Sequence, residues 1–275
     1  MFARERHLAL GIALAERADR THRFIGLGDW RPQGLRLFVL EDETAVRRLS
    51  RNRIPDWGVG LAIPSARTVA IRIDAADPEA ALRHELAHVA LHDRIRGRVP
   101  LWFDEGYAVV AAGELGRLVA LQLNLAVVRG AVTDFETLNA GLRLGAGEAE
   151  TSYALAGSAV LFLMRLTPGG GLEALIGRLA EGDPFATAVH TVTGYEVSVI
   201  ERAWQRDLRK RYGWFVWVVA GGGWAVVALS IGAIAAWRRH RDQPRREALN
   251  EGWVIPDESL EPGGPENGPD HPQSS

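Results

Sequence analysis

The sequence has 275 residues, of which 47% are hydrophobic and 24% charged, and this composition fits a globular domain with appendages rather than a wholly disordered chain. Its 32 basic and 34 acidic residues leave a formal charge of -2, so the chain lacks the basic excess of nucleic-acid-binding proteins, and no nucleic-acid partner is expected. The absence of cysteine excludes disulfides, thiolate zinc sites and cysteine nucleophiles. His, Asp and Glu remain as the strong metal ligands.

The first half of the sequence mixes predicted helices and strands. Leu8–Ala18 is rich in alanine and leucine, which predicts an amphipathic helix. A basic start and the small residues at 13–15 are also compatible with a short secretory signal, although the helix is the favoured interpretation. Asp77 and Pro78 form an N-cap and a first-turn proline, so a helix is predicted from there to about His92. Short apolar segments predict strands at 35–40, 59–63 and 68–73, and a helix is predicted at 44–49.

From about residue 102 the pattern is helical throughout. Apolar residues at helical spacing predict helices at 102–112, 115–128, 150–166, 171–181 and 195–212. Strands that are followed by helices are typical of an α+β fold, and we expect one such domain over residues 1–212.

Residues 214–237 contain no charged side chain and are long enough, at ~1.5 Å per residue, to cross a ~30 Å hydrocarbon layer. Tryptophans lie at both ends and basic residues flank both sides, as in many membrane helices. The segment therefore predicts one transmembrane helix in a lipid bilayer, and its glycines suggest a weak homodimer. Residues 238–275 are rich in proline, glycine and acidic residues, which predicts a disordered tail.

His84 and His88 belong to the segment His-Glu-Leu-Ala-His, inside the helix predicted to begin at Asp77. Histidines at positions i and i+4 lie on one helix face, so both imidazoles can reach one metal ion at ~2.0–2.1 Å. Glu85 lies beside them, where it can take a proton from the attacking water. The pattern favours a catalytic zinc site over two surface histidines.

A catalytic zinc normally has three protein ligands and one open position, so a third ligand is required. His92 continues the i+4 spacing, but it lies one further turn along the same helix, too far for a compact tetrahedral site. The metzincin position for a third histidine holds Arg94, which excludes that class. The remaining candidate is Glu105, in the segment Trp-Phe-Asp-Glu-Gly-Tyr-Ala of a second predicted helix.

The H-E-x-x-H helix followed by a W-x-x-E-G-x-A helix resembles the gluzincin metallopeptidases, and specifically the bacterial peptidase MA-like domains. The resemblance covers about residues 35–212. It implies a thermolysin-like zincin fold, in which a small sheet and the H-E-x-x-H helix precede a helical half. It also implies that His84, His88 and Glu105 bind Zn²⁺ and that Glu85 is the general base.

The resemblance further implies a tyrosine that stabilises the oxyanion of the reaction. Tyr153 is the candidate by position and Tyr107 is second, while a packing role for the Tyr153 ring is the alternative. The chain departs from thermolysin-type relatives at one place, because Val109 stands where they have an aspartate that orients a zinc histidine. Another acceptor is therefore needed, and Asp104 or a backbone carbonyl is the candidate.

These patterns together predict a membrane-anchored zinc peptidase that hydrolyses peptide or protein substrates, with an extended substrate paired to residues 58–63. A non-catalytic gluzincin-like module that binds partners at the membrane is the alternative, and a membrane adaptor with an accidental motif is a third. Lysine and arginine counts on the two sides of residues 214–237 do not decide the orientation. Resemblance to exported relatives favours an extracytoplasmic catalytic domain with a cytoplasmic tail.

Overall fold

The computed structural model describes residues 2–21, 23–42, 44–45, 59–114, 116–143, 146–212 and 223–250. The chain forms two compact units, Met1–Val219 and Ala220–Ser275. Most of the helix predicted at 44–49 lies outside the described residues. The described chain is mostly helical and has two small sheets.

The first unit begins with helix α1, Leu8–Arg20, which buries Leu14 and Ala18 in the core. This agrees with the amphipathic-helix interpretation of the amino-terminal segment. A two-stranded antiparallel sheet of β1, Arg23–Phe24, and β2, Gly28–Asp29, follows.

A three-stranded sheet carries the next part of the fold. Its strands are β3, Arg36–Leu40; β4, Gly60–Ile63; and β5, Thr68–Arg72. The spatial order is β3-β5-β4, with β3 parallel and β4 antiparallel to β5. All three strands were predicted within two residues at each end. Since β5 is central, its Val69 and Ile71 are fully buried beneath the helices.

Helix α2, Pro78–Arg94, follows the sheet and packs on β4 and β5. The carboxylate of Asp77 accepts hydrogen bonds from the backbone N–H groups of Glu79 and Ala80, and Pro78 occupies the first turn, as the sequence predicts. Leu82, Leu86 and other apolar side chains on one face of α2 are buried. The opposite face of the helix therefore remains for polar groups.

The helical half comprises seven helices in the described residues. They are α3, Leu101–Ala112; α4, Arg117–Val128; α5, Phe135–Gly141; α6, Ala146–Leu166; α7, Glu173–Glu181; α8, Phe185–Thr193; and α9, Val197–Tyr212. Five of them match the predicted helices, whereas α5 and α8 were not predicted. Helix α5 has only seven residues, so its apolar periodicity spans about two turns and gives a weak signal.

Helix α3 packs between α2 and α6, and Gly106 determines how closely it approaches α6. A Cβ atom at position 106 would lie 2.4 Å from the carbonyl oxygen of Ala156 in α6. The aromatic ring of Trp102 stacks on Phe135, and Phe135 stacks in turn on Trp204 of α9. These contacts fix α3 in the middle of the domain, with Glu105 turned towards α2.

The fold prediction needs one correction, at the predicted transmembrane helix. In the second unit helix α10 covers Gly223–Asn250, and residues 214–222 of the predicted span lie outside the described residues. The uncharged part of α10 ends at Trp237, roughly 22 Å from its start at ~1.5 Å per residue, and arginines follow. Across the described residues, no helix has an apolar stretch of the length that crossing a membrane requires.

This finding contradicts the predicted single-pass membrane location, together with the extracytoplasmic orientation of the catalytic domain that depended on it. The predicted disordered tail also differs at its start, because α10 continues from residue 238 to Asn250. Residues 251–275 lie outside the described residues.

Candidate metal centre

Helix α2 presents His84 and His88 on the face that turns away from the buried Leu82 and Leu86. The two imidazole rings stand edge to face, with centroids 5.1 Å apart. This arrangement follows from the helical repeat, which places residues i and i+4 one above the other. Both side chains are nearly buried, at 13% and 11% exposure.

Glu105 of α3 completes the cluster. Its Oε2 atom lies 3.5 Å from Nε2 of His84 and 3.4 Å from Nε2 of His88. Each of the three residues offers one ligand atom, and these atoms all lie within 4.8 Å of one another. Two ligands at ~2.05 Å from a metal and about 109° apart would be separated by about 3.3 Å. The two spacings to Glu105 therefore match the edge of a tetrahedral site.

The three side chains are strongly coupled electrostatically. Burial lowers the pKa of His84, but its hydrogen bonds with Glu105 and Glu114 outweigh burial and raise this pKa to about 9. Burial lowers the pKa of His88, but the charge of Glu105 and the hydrogen bond that His88 donates to Asp104 outweigh burial and raise this pKa well above its usual value. Burial raises the pKa of Glu105, but the neighbouring histidines lower it to about 2. A metal ion binds such a cluster by displacing the imidazole protons.

Glu85 is 9% exposed and lies between α2 and the edge strand β4. A Cβ atom at Gly60 would lie 2.5 Å from Oε1 of Glu85 and 2.7 Å from its Cγ, so the absence of a side chain at position 60 leaves the space for this carboxyl group. Burial raises the pKa of Glu85, and the charges of His84 and His88 offset only part of this effect. A carboxyl group with a raised pKa is suited to exchanging protons near neutral pH.

Asp104 connects His88 to a third histidine. Nδ1 of His88 lies 2.8 Å from Oδ1 of Asp104, and Nε2 of His92 lies 2.7 Å from Oδ2. Burial opposes ionisation of Asp104, but the hydrogen bonds from the two histidines keep its pKa well below the usual range. The sequence named Asp104 as one of two candidate acceptors, and the structure places it against His88. His92 contacts this carboxylate and is not among the three clustered ligands.

Glu114 is the site residue that the sequence analysis missed. Both of its carboxylate oxygens lie 3.3 Å from Nδ1 of His84, on the side of the ring away from Glu105. Its only sequence signal is its place directly after Gly113, where a helix is expected to end and the chain to turn back. Val109, at the position where thermolysin-type relatives have an aspartate, is buried at 3% exposure.

The structure separates the two candidate tyrosines. The ring of Tyr153 in α6 stands edge-on to His84, with centroids 6.0 Å apart, and its hydroxyl group hydrogen-bonds to Glu105. Burial and the charges of Glu105 and Glu85 raise the pKa of Tyr153, so its hydroxyl group keeps its proton. Tyr107 is fully buried, and its hydroxyl group donates to the carbonyl oxygen of Ile25 at 3.0 Å. Tyr107 therefore belongs to the core.

A helix with two histidines one turn apart, crossed by a helix that supplies a glutamate, defines a metallopeptidase-like domain in the first unit. A protein-family comparison agrees: the model for the Peptidase MA superfamily matches residues 32–210, which is more than half of the chain. The chain belongs to the Peptidase MA superfamily, and the predicted resemblance is confirmed. No curated protein matches the chain. The roles of the individual site residues stay predictions.

Proposed function

We propose that the chain is a zinc-dependent peptidase, with His84, His88 and Glu105 as the zinc ligands and Glu85 as the general base. The observation that carries this proposal is the convergence of the three ligand atoms within 4.8 Å, with the buried carboxyl group of Glu85 next to them. The proposal refines the membership in the Peptidase MA superfamily, which by itself indicates a metallopeptidase-like domain.

The donor set favours zinc among the biological metals. Two imidazole nitrogens and one carboxylate oxygen form the ligand set of many catalytic zinc sites, with a fourth position left for water or substrate. Spacings of 3.4 and 3.5 Å between ligand atoms fit a tetrahedral ion with short bonds. Calcium and magnesium prefer six or more oxygen ligands, which the cluster does not offer.

The side chains around the cluster have separate proposed roles in amide hydrolysis. When bound, zinc polarises the attacking water and the scissile carbonyl group. Glu85 accepts a proton from the water and passes it to the leaving amine, and its raised pKa suits both transfers. Tyr153 keeps its proton and donates a hydrogen bond to the oxygen that becomes negative. The substrate is a peptide or protein, held in extended form along β4.

The position of β4 supports this substrate geometry. The strand is the last of its sheet in the order β3-β5-β4, and Gly60 at its start contacts Glu85. A peptide that pairs with β4 passes the general base within a few residues of Gly60. The predicted substrate segment covers residues 58–63, and its first residue lies outside the described residues.

Metal content and peptide cleavage by the full 275-residue chain test the proposal. Elemental analysis is expected to give about one zinc per chain for the wild type and for Glu85→Gln, and none for Glu105→Ala or His84→Ala. A peptide-library assay is expected to detect cleavage by the wild type and a loss of at least a hundredfold with Glu85→Gln. Glu181→Ala, which changes an exposed glutamate of α7, is the matched control and keeps both properties.

Three results would contradict the proposal in different ways. Zinc that remains in Glu105→Ala would remove Glu105 from the ligand set. Zinc in the wild type without cleavage of any library peptide would favour the alternative of a non-catalytic binding module, and an unchanged cleavage rate with Glu85→Gln would assign the base elsewhere.

A further inference from the structure

The carboxylate of Glu114, which follows the end of α3, contacts the imidazole of His84. His84 is placed between two glutamates, with Nε2 facing Glu105 at 3.5 Å and Nδ1 facing both oxygens of Glu114 at 3.3 Å. Glu114 is 33% exposed at its side chain, so it contacts the ring from the rim of the site. The two nitrogens of one imidazole therefore face two different carboxylates.

The way in which helix α3 ends brings Glu114 to this place. Gly113 has φ +78°, a left-handed conformation that side chains other than glycine rarely adopt. The N–H of Gly113 donates to the carbonyl of Val110 at 3.2 Å, and the N–H of Glu114 donates to that of Val109 at 3.1 Å. These bonds are typical of a helix that reverses its direction at a C-terminal glycine. The chain turns back, and Glu114 faces α2.

A second contact ties the end of α3 to α2 beside the first ligand. Nε of Arg83, the residue before His84, donates to the carbonyl oxygen of Ala111 at 2.7 Å. The guanidinium group satisfies one of the carbonyls that the end of the helix leaves free. Because Arg83 and His84 are neighbours in α2, while Ala111 and Glu114 lie within one turn at the end of α3, this bond holds the glutamate near the histidine.

We propose that Glu114 is a positioning residue for metal binding, which accepts the Nδ1–H of His84 and keeps Nε2 free and directed at the metal. Glu114 lies nine residues after Glu105 in the chain. The position four residues after Glu105 is occupied by the buried Val109. The inference rests on the proposed zinc site and goes beyond its ligands. A histidine ligand whose second nitrogen loses its carboxylate typically binds metal 10- to 100-fold more weakly.

Zinc affinity of the full chain tests this role, measured by competition with a chromophoric chelator. Glu114→Ala is expected to raise the zinc Kd about tenfold. Glu114→Gln is expected to recover most of this loss, because its amide oxygen still accepts the Nδ1–H of His84. Glu181→Ala, an exposed and ion-paired glutamate on α7, is expected to stay within about twofold of the wild type.

Two further measurements separate positioning from a general structural effect. In the cobalt-loaded protein, Glu114→Ala is expected to shift the visible absorption bands, because the orientation of His84 at the metal changes, whereas Glu181→Ala leaves them unchanged. Gly113→Ala is expected to weaken zinc binding although Glu114 is intact, and Gly113→Asn to weaken it less, since asparagine adopts the left-handed conformation more readily.

The outcomes also distinguish this inference from the proposed function. If the wild type binds one zinc and Glu114→Ala binds it equally tightly with the same cobalt spectrum, Glu114 has no positioning role, while the zinc site stands. If the wild type binds no zinc, both the proposed function and this inference are overturned.

Discussion

The two histidines of α2 are supported in different ways, although one helix carries both. His88 faces Asp104, which precedes Glu105 inside α3, is 18% exposed and is also held by His92. His84 faces Glu114, which lies after the end of α3, is 33% exposed and is more distant, at 3.3 Å rather than 2.8 Å. Asp104 is thus held within helix α3, whereas the position of Glu114 depends on the turn at Gly113.

The difference suggests that each histidine is fixed only as firmly as the backbone that holds its carboxylate partner. Asp104 cannot move without α3, whose Trp102 and Phe103 are buried in the core. Glu114 depends on the turn at Gly113 and on the bond from Arg83. We expect the His88 side to contribute more to metal affinity than the His84 side, and the following predictions test this expectation.

The largest effect is expected from Asp104→Ala, which removes the acceptor of His88 and leaves His92 without its carboxylate. The zinc Kd should rise about 100-fold, against about tenfold for Glu114→Ala. Asp104→Asn is the matched control and should retain much of the affinity, because its amide oxygen can accept from Nδ1 of His88. Equal losses for Asp104→Ala and Glu114→Ala, measured in the same chelator competition, would show that the two supports are equivalent.

The pH dependence of stability provides the second test. Without metal, the pKa of His84 is about 9 in the folded chain and near its ordinary 6.5 in the unfolded chain, so folding favours the protonated ring. This contribution is fully present below pH 6.5 and is lost as the pH rises through about 9. The contribution of His84 to the free energy of unfolding of the chelator-treated protein should therefore fall by roughly 3 kcal/mol over this interval.

Chemical denaturation at a series of pH values measures this fall. His84→Gln is expected to reduce the fall in the free energy of unfolding with pH. The fall that remains is expected from the raised pKa of His88. A profile of His84→Gln that matches that of the wild type would mean that His84 carries no such proton in the folded state.

Gly60→Ala should separate the general base from the ligands. The new methyl group would meet Oε1 of Glu85 at 2.5 Å, so the carboxyl group must shift. We expect kcat for a cleaved peptide to fall about tenfold while the zinc Kd changes less than about threefold, because neither histidine support is touched. Gly177→Ala in α7, where a Cβ atom meets nothing within 4 Å, is the matched control. A comparable loss of zinc affinity in Gly60→Ala would contradict this separation.

The smallest effect is expected from His92→Gln. The glutamine can still donate to Asp104, so the carboxylate keeps a partner while the imidazole is lost. The zinc Kd should rise about threefold, well below the effect of Asp104→Ala. A rise as large as that of Asp104→Ala would mean that His92, rather than the packing of α3, holds the aspartate in place.

Helical spacing alone places His84 and His88 on one helix face, and the family resemblance added Glu105 as the third proposed ligand and Glu85 as the proposed base. The sequence also predicted the three strands of the larger sheet and five of the seven helices of the helical half. The two short helices α5 and α8 were missed. The transmembrane prediction for 214–237 relied on the uncharged composition of one segment, whereas within the described residues the uncharged part of α10 is too short to cross a membrane.

The contacts around the proposed ligands show why the remaining parts of the site could not be predicted from the sequence. Asp104 was one of two candidates, and Glu114 was not considered, because their distances to the histidines depend on how α3 crosses α2. Gly60 likewise had no visible role in the sequence, since its contact with Glu85 joins residues that are far apart in the chain.

The sequence by itself determined that His84 and His88 lie on one helix face, because the spacing of residues along a helix is a local property of the backbone. Tertiary structure decided which groups contact the cluster, since Glu114, Asp104 and Tyr153 reach the two histidines from α3, the turn after it and α6. Packing of α3 against α6 at Gly106, and the turn at Gly113, set the distances of Asp104 and Glu114 from the two histidines. Such distances follow from side-chain packing in three dimensions, which residue spacing does not encode.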